Sequence, residues 1–385
     1  MNILNRPFVK KYLIPGAVFQ SVLVGGGYGT GREIVEFFTQ YGGGGGVLGL
    51  IVTVLCWWLV LAVTWEFARI FQLYDYRSFF KQLLGRWWVL FEILFILMFL
   101  LVLAVVASAA GEILQTRFGI PYAVGILAML VLVGALTFFG RDIVTKSLAL
   151  WTVFLYGMFI FYFAAAFLEN GEAIGAQIAM WEVGSGWGVS GFQYAMYNLF
   201  IIPAILFSTR ALETRKEVIG SAGAASFICA VPALMFHVSF LGDFENVLAQ
   251  EIPVFFVITS LGIGALLVIY LIALFGTFIE TGAGLIQGSI ERVDGYLRET
   301  RRRTLAPIHR ALLAVAGIGL SAGLATLGII PLIARGYGTI AWGFFAVYVI
   351  PVLTIGVWQL RRAGPDPVVA SPIPPEETRA PLDGE

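Results

Sequence analysis

Five glycines in seven positions, Gly25, Gly26, Gly27, Gly29 and Gly31, stand inside the first apolar run of the chain, and Arg32, Glu33 and Glu36 follow at once. Each glycine in a helix costs about 1 kcal/mol relative to alanine, and each lets backbone come close to a ligand. An unwound Gly25–Gly31 stretch, which includes Tyr28 and Thr30, would offer carbonyls to a cation and amides to an anion. A half-helix starting near Thr30 would aim its positive end at a carboxylate. Gly25/Gly29 and Gly27/Gly31 are also small-xxx-small pairs that let two helices pack closely. Five glycines followed by charges favour the break, with Gly25–Gly31 as substrate contacts and Glu33 as an ion or proton participant. Within that run the dinucleotide-binding spacing G-x-G-x-x-G is absent, and no strand precedes it.

A second group lies in "FGTFIETGAGLIQG". Thr277 and Thr281 share one helical face. Their hydroxyls suit a hard cation or simply bond their own i−4 carbonyls. Glu280 lies on another face, deep enough to carry a proton or to pair with an arginine from elsewhere. Ionisable groups at membrane depth are costly, so each is a functional candidate by default. Tyr197 and Asn198 precede Pro203 in another apolar run. They contact a substrate or stitch the kink that a mid-span proline makes. Ser108 and Glu112 lie one turn apart, Ser108 as a substrate contact and Glu112 as vestibule or interface. Glu36 reads as solvated near the outer surface. Glu66 and Glu92 read as salt-bridge partners of Arg69 and Arg86. His237 and His309 are isolated, so no zinc site is expected, and Cys56 and Cys229 read as small core hydrophobes.

These residues need a membrane around them. The 385 residues are 59% hydrophobic and 12% charged, with zero formal net charge and mean hydropathy +0.88, against about 45–50% and about 25% in soluble domains. The chain reads as an all-α polytopic membrane protein with no nucleic-acid footprint. Lys10 and Lys11 precede an apolar run that lacks a compact signal-peptide pattern, so the first segment is expected to stay. At roughly 20 apolar residues per span, about ten segments follow, near 13–39, 46–70, 87–116, 121–139, 143–168, 190–209, 217–241, 253–290, 309–333 and 338–360. Residues 1–360 form one transmembrane domain. Residues 361–385, rich in proline and acids, read as a disordered tail.

Starting the N-terminus in the cytoplasm places Lys10, Lys11, Arg69, Arg77, Lys81, Arg86, Arg141, Lys146, Arg210, Arg215, Lys216, the Arg298–Arg303 run and Arg361–Arg362 inside, which the positive-inside bias favours. Both termini are then cytoplasmic. The basic run also suits anionic lipid headgroups, and Trp87, Trp88, Trp181 and Trp358 suit the interfacial belt. The first and sixth segments are interrupted, and the third and eighth are long. Repeat one, about 8–168, and repeat two, about 190–360, then form a 5+5 inverted repeat, whose paired broken helices point to a transport site.

"GGGYGTGREIVEFF" and "YNLFIIPAILFSTRALETRKEVIGSAGA" resemble the YkvI-type bacterial membrane proteins, over roughly residues 8–360. That poorly characterised family is similar to the amino acid–polyamine–organocation (APC) superfamily with its LeuT fold. The resemblance implies a substrate site between the breaks of helices 1 and 6, flanked by helices 3 and 8. It also implies that Thr277 and Thr281 resemble a hydroxyl pair that binds sodium together with the Gly25 and Gly26 carbonyls at the first break. The expectation is a bacterial cytoplasmic-membrane secondary transporter. It would move an amino acid or related zwitterion, coupled to sodium or protons, with no cofactor beyond a possible sodium ion and no enzyme chemistry: the metalloprotease pattern H-E-x-x-H is absent. A ligand-binding sensor or assembly protein without flux, or a channel, are the alternatives. Substrate identity and oligomeric state are left open.

Overall fold

A computed structural model of the chain describes residues 6–139, 141–301 and 304–364; the side chains at 136, 138–139, 141–153, 203–204 and 299–301 are outside that description. The expected tail from 365, Arg302 and Arg303, and the side chains of Arg141 and Lys146 therefore lie outside the described residues.

The described residues are all helical, and no strand is present among them. In chain order the α-helices are α1 (Ile14–Leu23), α2 (Gly26–Thr30), α3 (Arg32–Phe37), α4 (Gly42–Phe71), α5 (Tyr76–Leu84), α6 (Val89–Phe118), α7 (Tyr122–Phe139), α8 (Arg141–Met180) and α9 (Trp187–Asn198). They continue with α10 (Ile202–Ile205), α11 (Arg215–Phe240), α12 (Phe244–Leu248), α13 (Pro253–Ser260), α14 (Gly264–Arg301), α15 (Pro307–Ala325), α16 (Ile329–Pro331), α17 (Gly338–Phe344) and α18 (Val357–Ala363). Seven helical stretches among the described residues are long and apolar enough to cross a membrane. The chain is a multi-pass membrane protein.

Helices are the answer to lipid because each closes its own backbone hydrogen bonds. Interruptions are tolerated where neighbours or a cavity take over, and the described chain has several. Helix α8 kinks at Asn170 (φ −111°, ψ 17°), and α16–α18 are joined through π-helical turns at Leu332–Tyr337, Phe345–Val349 and Val352–Gly356. Two expected boundaries move. The eighth segment was expected as one helix over 253–290. Instead Gly262, at φ +68°, ends the short α13, and the long helix runs from Gly264 to Arg301. Likewise Gly328, at φ +86°, separates α15 from α16, so the boundary expected near 333–338 falls at 326–328.

Two packing groups result. Helix α4 packs on α9 and α11, and α1 on α11; helix α6 packs on α7, α14 and α15. The single-turn α2 packs on α6 and α14 of the second group, and its Tyr28 ring reaches Phe236 of α11 in the first, 5.7 Å between centroids. Arg69 on α4 is 4% exposed and meets Glu66 through Nε and Nη2 at 2.8 and 2.7 Å, while its Nη1 donates to the Glu213 carbonyl at 3.0 Å. Glu92 pairs with Arg292 of α14 at 3.0 Å, not with Arg86, because α14 extends a further turn past the point where its expected segment stopped.

Removing one partner of a buried pair strands the other, at a cost of about 3–5 kcal/mol. Arg69→Met should therefore destabilise the detergent-solubilised protein by about that amount. Glu66→Gln combined with Arg69→Met should cost less, as read from thermal unfolding of all three proteins.

Candidate functional site

The break in the first segment is sharper than the glycine run suggests. Val24 (φ −73°, ψ 78°) makes a tight turn in which the Gly25 N–H donates to the Leu23 carbonyl at 2.8 Å, Gly25 (φ −98°, ψ −170°) is extended, and α2 resumes at Gly26, not near Thr30. A second interruption follows at Gly31, φ +81°, which only glycine adopts readily. Between them α2 is a single turn, too short for the half-helix dipole expected from Thr30. Thr30 spends its hydroxyl on the Gly27 carbonyl at 2.7 Å.

The sixth segment breaks differently. Helix α9 ends at Asn198, a 3₁₀ turn covers Leu199–Ile201, and Pro203 falls in the first turn of α10, where its missing N–H costs nothing. A second 3₁₀ turn spans Leu206–Thr209. The Pro203 side chain lies outside the described residues.

The two broken segments meet through a hydrogen bond and through the rings of Phe37 and Phe38 against Tyr194 and Tyr197. Tyr197 donates its phenolic hydrogen to Glu33 Oε2 at 2.5 Å. Glu33 is 6% exposed and Tyr197 1%. The other carboxylate oxygen lies over Gly27, where a Cβ would stand 2.2 Å from Oε1. Any side chain at Gly27 would displace Glu33. A Cβ on Gly26 would meet Val106 Cγ2 of α6 at 2.4 Å. The glycines thus serve packing as well as the break. Tyr337 stacks on Tyr197 at 4.9 Å between ring centroids and closes that end.

A cavity of about 780 Å³ starts at this floor. Gly25, Gly26, Gly27, Glu33, Tyr197 and Asn198 line it from the two broken segments. Glu280 and Thr281 line it from α14, and it runs out to Tyr76, Glu291 and Arg292. Its wall is mainly apolar, with Phe95, Met98 and Val102 of α6. Arg292 does not offer a free charge to it, being paired with Glu92 and stacked on Tyr76 and Phe95 at 3.8 and 3.6 Å.

The opposite end is shut. Arg32, 5% exposed, donates to the carbonyls of Leu248 and Gln250 at 2.8 and 3.0 Å and to Glu36 at 2.8 Å. Glu36 is therefore paired rather than solvated as expected. His237, fully buried on α11, bridges the Thr39 hydroxyl and the Gly43 carbonyl, each at 3.1 Å.

Other candidates fall elsewhere. Ser108 faces Tyr122 at 2.7 Å, and Tyr122 donates to the Ala325 carbonyl, so this hydroxyl ties α6 to α7 and α15 away from the cavity. Tyr28 points toward Phe236, and Gly29 accepts a hydrogen bond from Tyr270 at 3.2 Å. Thr277, 2% exposed, donates to the Ala273 carbonyl at 2.8 Å and does not line the cavity. Thr281 alone of the pair stands near Gly25, its Oγ1 4.0 Å from where a Cβ there would be. Asn198 lines the cavity but donates to the Tyr194 carbonyl at 2.9 Å. Sequence reasoning missed Tyr337, which sits in an ordinary aromatic run.

Broken helices around a one-ended cavity define a class, and comparison with solved structures places the fold in it. The chain is similar to a manganese transporter from Eremococcus coleocola, solved with an aromatic bis-isothiourea substituted compound (TM-score 0.59, 15% identity, covering 91% of this chain and 80% of that one). It is also similar to a substrate-bound, outward-open Na+-coupled sialic acid symporter (TM-score 0.58, 12% identity, covering 89% and 79%). The fold is the LeuT-like fold of secondary transporters. In sequence, the chain is a homologue of the uncharacterized membrane protein YkvI of Bacillus subtilis (strain 168), 25% identical over 320 residues, or 80% of this chain and 89% of that protein. The resemblance drawn from the glycine run is thereby borne out. No family model matches the chain.

Losing a hydrogen bond to a buried charged group costs about 1.5–3 kcal/mol. Tyr197→Phe should lower the unfolding free energy by that amount. Gly27→Ala should lower it at least as much, and the double variant should fall short of the sum because both act through Glu33. Chemical denaturation in detergent reads all three.

Proposed function

We propose that this protein is a ten-helix secondary transporter built as a 5+5 inverted repeat, moving a small organic solute across the bacterial cytoplasmic membrane by alternating access. The solute class that fits best is an amino acid or related zwitterion, coupled to sodium or protons. The single observation that carries the reading is the one-ended cavity between the broken segments, floored by the Glu33–Tyr197 pair and capped by Arg32. The mouth of that cavity is formed by α5 and the far end of α14, which the positive charges assign to the cytoplasm. On that orientation the chain faces inward.

The chemistry of the wall supports a zwitterion. Glu33 and Glu280 favour an amino group. The amides at Gly26 and Gly27 have no acceptor within their own helix and suit a carboxylate. Apolar walls with a few convergent polar groups are what small-molecule sites provide. A continuous pore is not favoured, because Arg32 closes the outer end with three hydrogen bonds. A non-transporting sensor is separated from a transporter only by flux.

The test is thermal stability of the purified protein against amino acids, amines and organic acids, followed by uptake into proteoliposomes. A ligand at 100 times its Kd adds about 2.7 kcal/mol. One selective stabiliser that is also accumulated against its gradient is the expected result. Stabilisation without uptake would turn the reading to the sensor, and gradient-limited, non-saturating flux to the channel. Gly25 is the informative position. It is extended at φ −98°, and a Cβ there meets nothing closer than 3.8 Å, whereas one at Gly26 strikes Val106. Gly25→Leu should leave the ligand-free melting temperature nearly unchanged and abolish stabilisation by the solute.

A further inference from the structure

The last span ends at α18 beside the short α5, and side-chain amides tie the two together. Gln82 Nε2 donates to Gln359 Oε1 at 3.0 Å, and Gln359 Nε2 donates to the Gln82 carbonyl at 3.2 Å. Helix α5 buries Phe79, Phe80 and Leu83 and turns Lys81 and Gln82 outward. A short amphipathic helix of this kind lies in the plane of the membrane interface. Trp87 and Trp358 mark the same level. They are 56% and 51% exposed where the apolar run of α6 begins and that of the last span ends, as interfacial tryptophans are.

Four cations surround the amide tie. Lys81 precedes Gln82, and Arg86 follows on the 3₁₀ turn Gly85–Trp88; Arg361 and Arg362 follow Gln359 on α18. Three of them stand over tryptophan rings: Lys81 over Trp88 at 5.6 Å, Arg86 over Trp87 at 5.3 Å and Arg362 over Trp358 at 3.8 Å from the centroid. A ring attracts the charge without taking up an N–H donor, so the guanidinium donors of Arg86 and Arg362 stay available. Among the described residues no carboxylate pairs with Arg86, Arg361 or Arg362. The acids of the adjoining turns are engaged: Asp75 caps α5 through the Ser78 N–H at 2.9 Å, and Glu92 is held by Arg292.

We propose that this rim binds one anionic phospholipid. Its phosphate sits on Arg86, Arg361 and Arg362, and its acyl chains run along Val89 and Leu90 of α6 and Ile355 of the last span, all exposed. A guanidinium matches a phosphate with two parallel N–H bonds. A soluble phosphate would use the cations and gain nothing from the apolar strip below them, whereas a lipid uses both. Helix α5 carries this rim at its C-terminal end and Tyr76, in the wall of the cavity mouth, at its N-terminal end. A bound lipid therefore steadies the element that frames the mouth. That effect on passage rests on the transport reading above; the lipid site does not.

Native mass spectrometry of the full-length protein in neutral detergent counts bound lipids directly. The titrants are phosphatidylglycerol and phosphatidylcholine with the same acyl chains. One phosphatidylglycerol should bind about tenfold or more tightly than phosphatidylcholine. Each cation at an anionic lipid surface is worth about fivefold in affinity, so Arg361→Gln combined with Arg362→Gln should weaken that binding by about tenfold or more. Trp358→Leu, which keeps every charge, should also weaken it by releasing Arg362. Arg215→Gln combined with Lys216→Gln removes the same charge from the exposed start of α11 and should leave the affinity nearly unchanged. Equal binding of the two lipids overturns the site. Equal loss in the two double variants also overturns it, because the attraction is then a diffuse field. Glycerol phosphate that displaces the lipid at millimolar concentration overturns lipid as the occupant. Solute stabilisation and uptake with no lipid preference remove this site alone; a lipid preference with no uptake of any solute removes the transport reading alone.

Discussion

A carboxyl group inside a bilayer has to be answered by a partner, and in this protein the answer to Glu33 crosses between two broken segments. Its hydrogen bond from Tyr197, beside the Phe37 and Phe38 rings packed on Tyr194 and Tyr197, holds the first broken segment and α9 in register. The glycine at position 27 exists in part to leave room for it. Once Glu33 is fixed, α2 is fixed over α6 and α14, and the floor of the cavity follows. Everything below the floor is reachable from one end, and everything above it is packed around Arg32 and His237.

The same constraint explains why the backbone can be irregular here. Lipid accepts no unpaired amide or carbonyl, so the turn at Val24 and the extended Gly25 are found where a cavity borders them. The second interruption, at Gly31, is covered by Phe240 and Val254, which crowd the position where a side chain would be. One break faces a cavity and the other is buried in protein. Of the two, only the first can serve a ligand.

Much of this was legible in the residues. Glycine clustering announced a break because its cost has no other return, and charges at depth announced Glu33 and Glu280 for the same reason. The all-helical, multi-pass architecture followed from hydropathy, and the order of the segments carried the family resemblance. What could not be read was the rotational setting of each helix. Thr277 and Thr281 share a face on paper, yet one turn of difference puts a single member near Gly25. Ser108 lies at the right height on the long α6 but looks toward Tyr122. Glu36 was assigned to solvent because its partner, Arg32, is four residues away and its rotamer is set by the carbonyls of Leu248 and Gln250, more than two hundred residues along. The break itself was placed a turn late, since five glycines say that a helix fails but not at which bond.

The Arg32 closure has a property that follows from its acceptors. Two of its three bonds end on main-chain oxygens between α12 and α13, and main-chain oxygens are supplied by every amino acid. That loop can therefore drift in sequence without loosening the seal, as long as its length and path are kept. The vulnerable elements are the guanidinium and the loop's spacing, so insertions and deletions there should be far less tolerated than substitutions. A gate anchored on backbone is blind to the chemistry of the residues it grips, which leaves those side chains free to meet whatever lies outside the membrane.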